Sequence, residues 1–161
     1  TWQSNNKGID LNHNYPAKWQ ESKDAEIELG ISCPGPTRCS GPYALSEPES
    51  QAIVDFVKKH DFRLVLAYHS QGQVIFWVFD DLQPMPESKI IGEQFAKVSG
   101  YRLGEIYGIG SYAGMKDWFI QDYRRPGYTV EVGRGKNPLP IEQFPMIYNN
   151  NEELLLLASV I

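Results

Sequence analysis

Residues 64–77 read LVLAYHSQGQVIFW, and this stretch decides the fold class. It opens on an apolar run of strand length, with the turn residues Gln71 and Gly72 behind it. Short apolar runs bounded by turn signals fit a strand covered on both faces, the kind found in parallel sheets. A second such strand follows at 73–79, QVIFWVF. The first strand, traced back to Phe62 as FRLVLAY, ends on His69 and Ser70. A histidine there has two readings. It is either a core histidine with satisfied ring nitrogens, or a metal ligand at the rim of a sheet, where ligands gather beyond the carboxyl ends of strands.

On the N-terminal side of this run, SEPESQAIVDFVKKHD at 46–61 has the pattern of a helix. Ser46 and Glu49 have capping-box spacing, and Pro48 suits a first turn. Ala52, Ile53, Phe56 and Val57 are predicted to share its apolar face. Lys58, Lys59 and His60 end it, where positive charge opposes the helix dipole, so His60 reads as a helix-end residue. On the C-terminal side, PESKIIGEQFAKVSG at 86–100 is a second helix, opened by Pro86 and closed by Gly100. Residues 101–116 are rich in Gly and Tyr and read as a mobile loop. DWFIQDY at 117–123 is a helical turn or two, PGYTVEVG at 126–133 a strand, and residues 142–161 mainly helix. The first thirty residues show little periodicity beyond GIDLN at 8–12. Helices alternating with apolar strands predict an α/β layered domain.

The 161 residues amount to one domain, with 42% hydrophobic and 22% charged residues. A net charge of −5 argues against a general nucleic-acid binder, whose affinity rests on clustered Lys and Arg. No apolar run approaches the roughly 18 residues of a membrane span, and TWQSNNKGID contains no basic region or apolar stretch to read as a signal peptide. Cys33 and Cys39 lie in CPGPTRC, where the spacing permits either a local disulfide or two free thiols.

Two further places can carry chemistry. Glu131 sits between Val130 and Val132 in a strand that reads as buried. A carboxylate there is either paired, with Arg134 or Arg125, or kept for function as a general base. Asn12 and His13, in GIDLNHNYP, are either binding groups or part of an Asn-rich turn.

Taken in order, GIDLNHNYP, GPYALSEPESQAIVDFVKKH, LAYHSQGQ, the Tyr/Gly loop and DWFIQ…GYTVEVG resemble the zinc carboxypeptidase family over nearly the whole chain. Within it, LNHNYPAKW, SEPESQAI and KDWFI…RRPGYTVEVG look most like bacterial enzymes that cleave γ-D-glutamyl–diamino-acid bonds in cell-wall peptides. The resemblance implies a three-layer α/β/α fold with a mixed twisted sheet, and zinc as cofactor. It makes His69 a zinc ligand, Glu131 the general base and Asn12 a substrate-binding residue, with Ser70 and Gln71 shaping the adjacent pocket. The loop tyrosine of the family falls on Tyr112 or Tyr107, with Tyr112, in GSYAG, favoured. The implied partner is a peptidoglycan stem peptide, with no nucleic acid or membrane, and a cell-wall or secreted location is favoured.

The chain departs from the family pattern in three ways. His13 stands where the family has the Arg of an Asn-Arg pair, and a neutral imidazole at that substrate-binding position cannot form a bidentate clamp on a carboxylate. Gln3 stands after Trp2, where many relatives carry an oxyanion-stabilising Arg. Arg124, Arg125 and Arg134 are candidates to grip a carboxylate instead. The His-x-x-Glu motif that supplies two zinc ligands is absent, although a catalytic zinc takes three protein ligands plus water. Residues 1–161 are therefore expected to be the C-terminal part of one catalytic domain, partnered by a missing N-terminal part that carries the other two ligands. The alternatives are an ordinary carboxypeptidase acting on protein C-termini and a peptide-binding relative without catalysis.

Overall fold

In the computed structural model, which describes residues 2–79, 82 and 84–161, four strands make one mixed sheet. They are β1 (Val65–Ser70), β2 (Val74–Phe76), β3 (Arg102–Gly104) and β4 (Gly127–Val132), in the order β1-β4-β2-β3. β1 runs parallel to β4, β2 antiparallel to β4, and β2 parallel to β3. Five helices accompany the sheet: α1 (Trp19–Glu28), α2 (Pro48–Lys58), α3 (Pro86–Ser99), α4 (Met115–Tyr123) and α5 (Phe144–Val160).

Alternation along the strands splits the apolar residues into two cores, as the two-residue period of a strand requires. One gathers Val54 and Val57 of α2, Val65 of β1, and Trp118, Phe119 and Ile120 of α4. The other gathers Ile75 of β2, Tyr128 and Val130 of β4, Ile91 and Phe95 of α3, and Leu154 of α5. Helices thus cover both faces, giving the expected three layers. Gly92 lets α3 lie close on the sheet, since a Cβ there would come within 2.8 Å of Leu103 Cδ1. Gly100, at φ 71°, closes the same helix in the left-handed conformation.

Several expectations are corrected. The capping box at Ser46 is not formed: Glu47 is the N-cap residue of α2 and its side chain makes no cap bond. The buried face of α2 carries Ser50, Val54 and Val57, while Ile53 and Phe56 are 43% and 53% exposed, so the apolar stripe lies one residue away from the predicted one. Phe56 packs instead on His60 at 4.5 Å between ring centroids, consistent with a helix-end role for that histidine. β1 is not covered on both faces, because Tyr68 is 41% exposed. Residues 101–116 contain β3 and a 3₁₀ turn at Gly108–Gly110. α1 has no counterpart in the hydrophobic pattern, because the positions it buries are Ser22 and Glu26, both polar.

No helix among the described residues is long and apolar enough to cross a membrane.

Candidate active site

Parallel register sets His69 of β1 directly beside Glu131 of β4. In-register residues on neighbouring strands project to the same face, so imidazole and carboxylate share one side of the sheet. Each lies one residue before the carboxyl end of its strand. The N-terminal segment folds over these ends and closes a cleft of about 530 Å3, lined by Asp10, Asn12, His13, Arg38, His69, Ser70 and Glu131, with Gln3, Leu11, Ile106 and Gly110. Asn12, His13, His69, Ser70 and Glu131 thus line one cleft.

Glu131 is the most telling of them. Its Oε2 is buried and accepts no hydrogen bond from the described residues. Burial pushes its carboxyl up to about 7. The ion-pair reading is not realised, because Arg125 bonds Asp61 and the Phe62 carbonyl, each at 2.7 Å, and Arg134 donates from Nε to Gln73 Oε1. A half-buried carboxylate with one buried oxygen left unbonded is costly.

Burial disfavours the charged form of both histidines of the cleft. Burial lowers His69, against an opposing pull from Asp10. Burial also lowers His13, where Asp10 and Glu26 pull upward and Arg38 and His69 push down. His13 Nδ1 lies 3.4 Å from Ser22 Oγ. Neutral imidazole is the form that binds a metal ion.

Asn12 is fixed by its carbonyl, whose Oδ1 accepts the Met115 N–H at the start of α4 at 3.1 Å. With the carbonyl engaged, its NH2 group is the end available to a ligand. The next asparagine is structural. Asn14 is fully buried and donates to Ser40 O, Tyr43 O and Ser46 Oγ, while its Oδ1 accepts the Glu47 N–H at 3.2 Å. Beyond β1, the Asn137 amide holds the Ser70 carbonyl at 2.9 Å.

The two tyrosines of the 101–116 loop differ in setting. Tyr112 is half-buried against the core, with the Lys18 ammonium 5.9 Å from its ring centre. Its neighbours are tied down: Ser111 donates to Asp117 Oδ1 at 2.9 Å and Ala113 to the Ala17 carbonyl at 2.6 Å. Tyr107 is 56% exposed, with its hydroxyl donating to Glu105 Oε2 at 2.7 Å. Neither tyrosine lines the cleft, but Ile106, next to Tyr107, does.

Sequence reasoning missed Arg38. The CPGPTRC loop draws attention for its cysteines, which are bonded to each other with Cα atoms 4.9 Å apart. Nothing in local spacing shows that the loop folds back onto the cleft. The arginines singled out instead lie elsewhere: Arg125 and Arg134 are engaged as described, and Arg124 faces a separate hollow beside Phe79 and Ile120.

Among the described residues, the one set of three candidate metal donors is Glu26, Cys33 and Cys39, and the disulfide removes it as a metal site. In the cleft the chain offers a neutral imidazole, His69, next to an unpartnered carboxylate, Glu131. That donor chemistry fits zinc, which His69 would hold with Glu131 beside it.

The site is a polar cleft at the carboxyl ends of a parallel strand pair in an α/β fold, with histidine and carboxylate side by side. Residues 1–154 match the zinc carboxypeptidase family of M14 peptidases, and the chain belongs to that family. It is 48% identical over 147 residues to γ-D-glutamyl-L-diamino acid endopeptidase 1 of Lysinibacillus sphaericus, covering 91% of this chain and 35% of that protein. In structure it resembles carboxypeptidase A of Helicoverpa armigera, with TM-score 0.67 and 22% identity, covering 94% of this chain and 42% of the other. It also resembles the murein-tripeptide amidase MpaA of Escherichia coli O157, with TM-score 0.61 and 20% identity, covering 97% and 58% of the two chains. The chain thus spans about a third of the length of the Lysinibacillus relative.

Proposed function

We propose that these residues form the base- and substrate-bearing part of a zinc peptidase that hydrolyses the γ-D-glutamyl–diamino-acid amide in bacterial cell-wall peptides. The observation that carries the catalytic reading is His69 in register with the unpartnered Glu131. The substrate class rests on the 48% identity to a γ-D-glutamyl-L-diamino acid endopeptidase.

Zinc, when bound, supplies a Lewis acid that polarises the scissile carbonyl. His69 is the ligand from this chain, and the remaining donors come from the part of the protein outside these residues. The Glu131 carboxylate takes a proton from the attacking water and delivers it to the departing amine nitrogen. Its raised proton affinity matches that double task, since a group near neutrality both accepts and releases a proton readily. Asn12 donates from its amide to the bound peptide, and His13 offers one hydrogen bond from its neutral ring. Ser70 borders the same pocket. Of the two loop tyrosines, we assign the substrate-facing role to Tyr107 rather than to Tyr112, which the sequence favours, because Tyr112 is packed against the core and Tyr107 is exposed. The Cys33–Cys39 bond favours an oxidising location, at the cell wall or secreted.

The test is hydrolysis of a synthetic γ-D-glutamyl–diamino-acid peptide by the zinc-loaded full-length protein. Cleavage at that bond, lost on chelation, is expected. Release of only C-terminal L-amino acids from ordinary peptides would contradict the substrate assignment.

A further inference from the structure

The cleft has no arginine at position 13 or position 3, yet Arg38 lines it. Its backbone is held with unusual care for a loop residue. The Arg38 N–H donates to Asp10 Oδ2 at 2.8 Å. Thr37 Oγ1 lies 2.6 Å from Gln3 Oε1 and 3.2 Å from Asp10 Oδ2. On the other side, Ser40 donates to Glu26 Oε2 from its backbone at 2.8 Å and from its hydroxyl at 2.7 Å. The Cys33–Cys39 bond closes the loop between these two clamps. Arg38 itself takes φ 59°, a left-handed conformation that an L side chain adopts only when its surroundings impose it.

Asp10 spends its oxygens on Asn12 N–H, Arg38 N–H and Thr37, and among the described residues no carboxylate pairs with the Arg38 guanidinium. Arg38 is exposed, so its guanidinium beside the cleft is open to bidentate bonding by a planar anion.

We propose that Arg38 binds a free carboxylate on the diamino-acid side of the scissile bond, in place of the clamp that His13 cannot form. This rests on the peptidase reading above and names a specificity-determining residue within it. Arg38 would then act on binding of that substrate group, and Asp10, Glu26 and the disulfide would position it. Arg124, Arg125 and Arg134 take no part.

The experiment compares two synthetic γ-D-glutamyl–diamino-acid peptides, one with the diamino-acid carboxylate free and one with it amidated, on the zinc-loaded full-length protein. Arg38→Gln and Arg38→Lys are assayed beside the native protein, with thermal unfolding as a check on folding. Arg38→Gln should lower kcat/KM about 10- to 100-fold for the free carboxylate, mainly through KM, and hardly for the amide. Arg38→Lys should recover part of the loss, because an ammonium supplies charge without the fork. Equal losses on both peptides, or none on either, would overturn the assignment while native cleavage left the peptidase reading intact. If the native protein cleaves neither peptide, the peptidase reading itself fails.

Discussion

His69 and Glu131 face each other across one rung of a parallel strand pair, and the carboxylate keeps an oxygen with no hydrogen-bond partner among the described residues. Everything proposed for catalysis depends on that pairing. Replacing the carboxylate with its isosteric amide, Glu131→Gln, leaves the shape of the cleft and removes the base. Turnover of the peptide substrate should fall by about 10²- to 10⁴-fold, while circular dichroism and metal content stay unchanged. Near-native turnover would exclude Glu131 as the base.

The same carboxylate gives a pH signature in the zinc-free protein. Burial raises its folded-state value to about 7, above that of an unfolded carboxyl. The folded state therefore holds the proton more tightly. The stability this contributes is complete below the ordinary carboxylate range and is lost as pH rises through about 7. Unfolding midpoints of zinc-free native protein and Glu131→Gln should diverge as pH rises from the ordinary carboxylate range to about 7, with the variant the more stable and the gap constant above that. Parallel curves from pH 5 to 9 would contradict the burial argument.

Glu26 shows the opposite sign. Burial alone would raise its carboxyl, but the bonds from Lys23 and Ser40 outweigh this and hold it below its usual value. Its stabilising effect is present above the unfolded-state value and lost as pH falls through the lower folded one. Glu26→Ala strands the buried Ser40 N–H and should cost about 1–3 kcal/mol at neutral pH. It should also loosen the loop that presents Arg38, which proteolysis between Cys33 and Cys39 under reducing conditions would detect.

Asn14 offers a purely structural contrast to its neighbours Asn12 and His13. Its side chain gathers the carbonyls of Ser40 and Tyr43 and the N–H of Glu47 at the start of α2. Asn14→Ala should destabilise the protein by at least about 2 kcal/mol, seen as a lower denaturant midpoint. In folded material KM should be little changed.

Much of this was legible in the residues. The apolar run before His69 and the valines around Glu131 mark the two strands that carry the site, and the Pro86 and Gly100 boundaries of α3 follow from local chemistry. What escaped was held by polar contacts. α1 buries a serine and a glutamate, so no apolar period betrays it. The α2 stripe is displaced because Phe56 stays exposed, packed on the rings of His60 and Phe62. Arg38 reaches the cleft through hydrogen bonds from residues 27 and 28 positions away in sequence to Asp10, and pairing over such distances leaves no periodic trace.

The most direct test of the central claim is zinc bound per molecule in the full-length protein, by elemental analysis after zinc loading and desalting, for native protein and His69→Ala. Near-stoichiometric zinc in the native protein and a loss of most of it in His69→Ala is the predicted result. Undiminished stoichiometric zinc in His69→Ala would show that β1 does not carry a ligand, and the proposed site would be wrong.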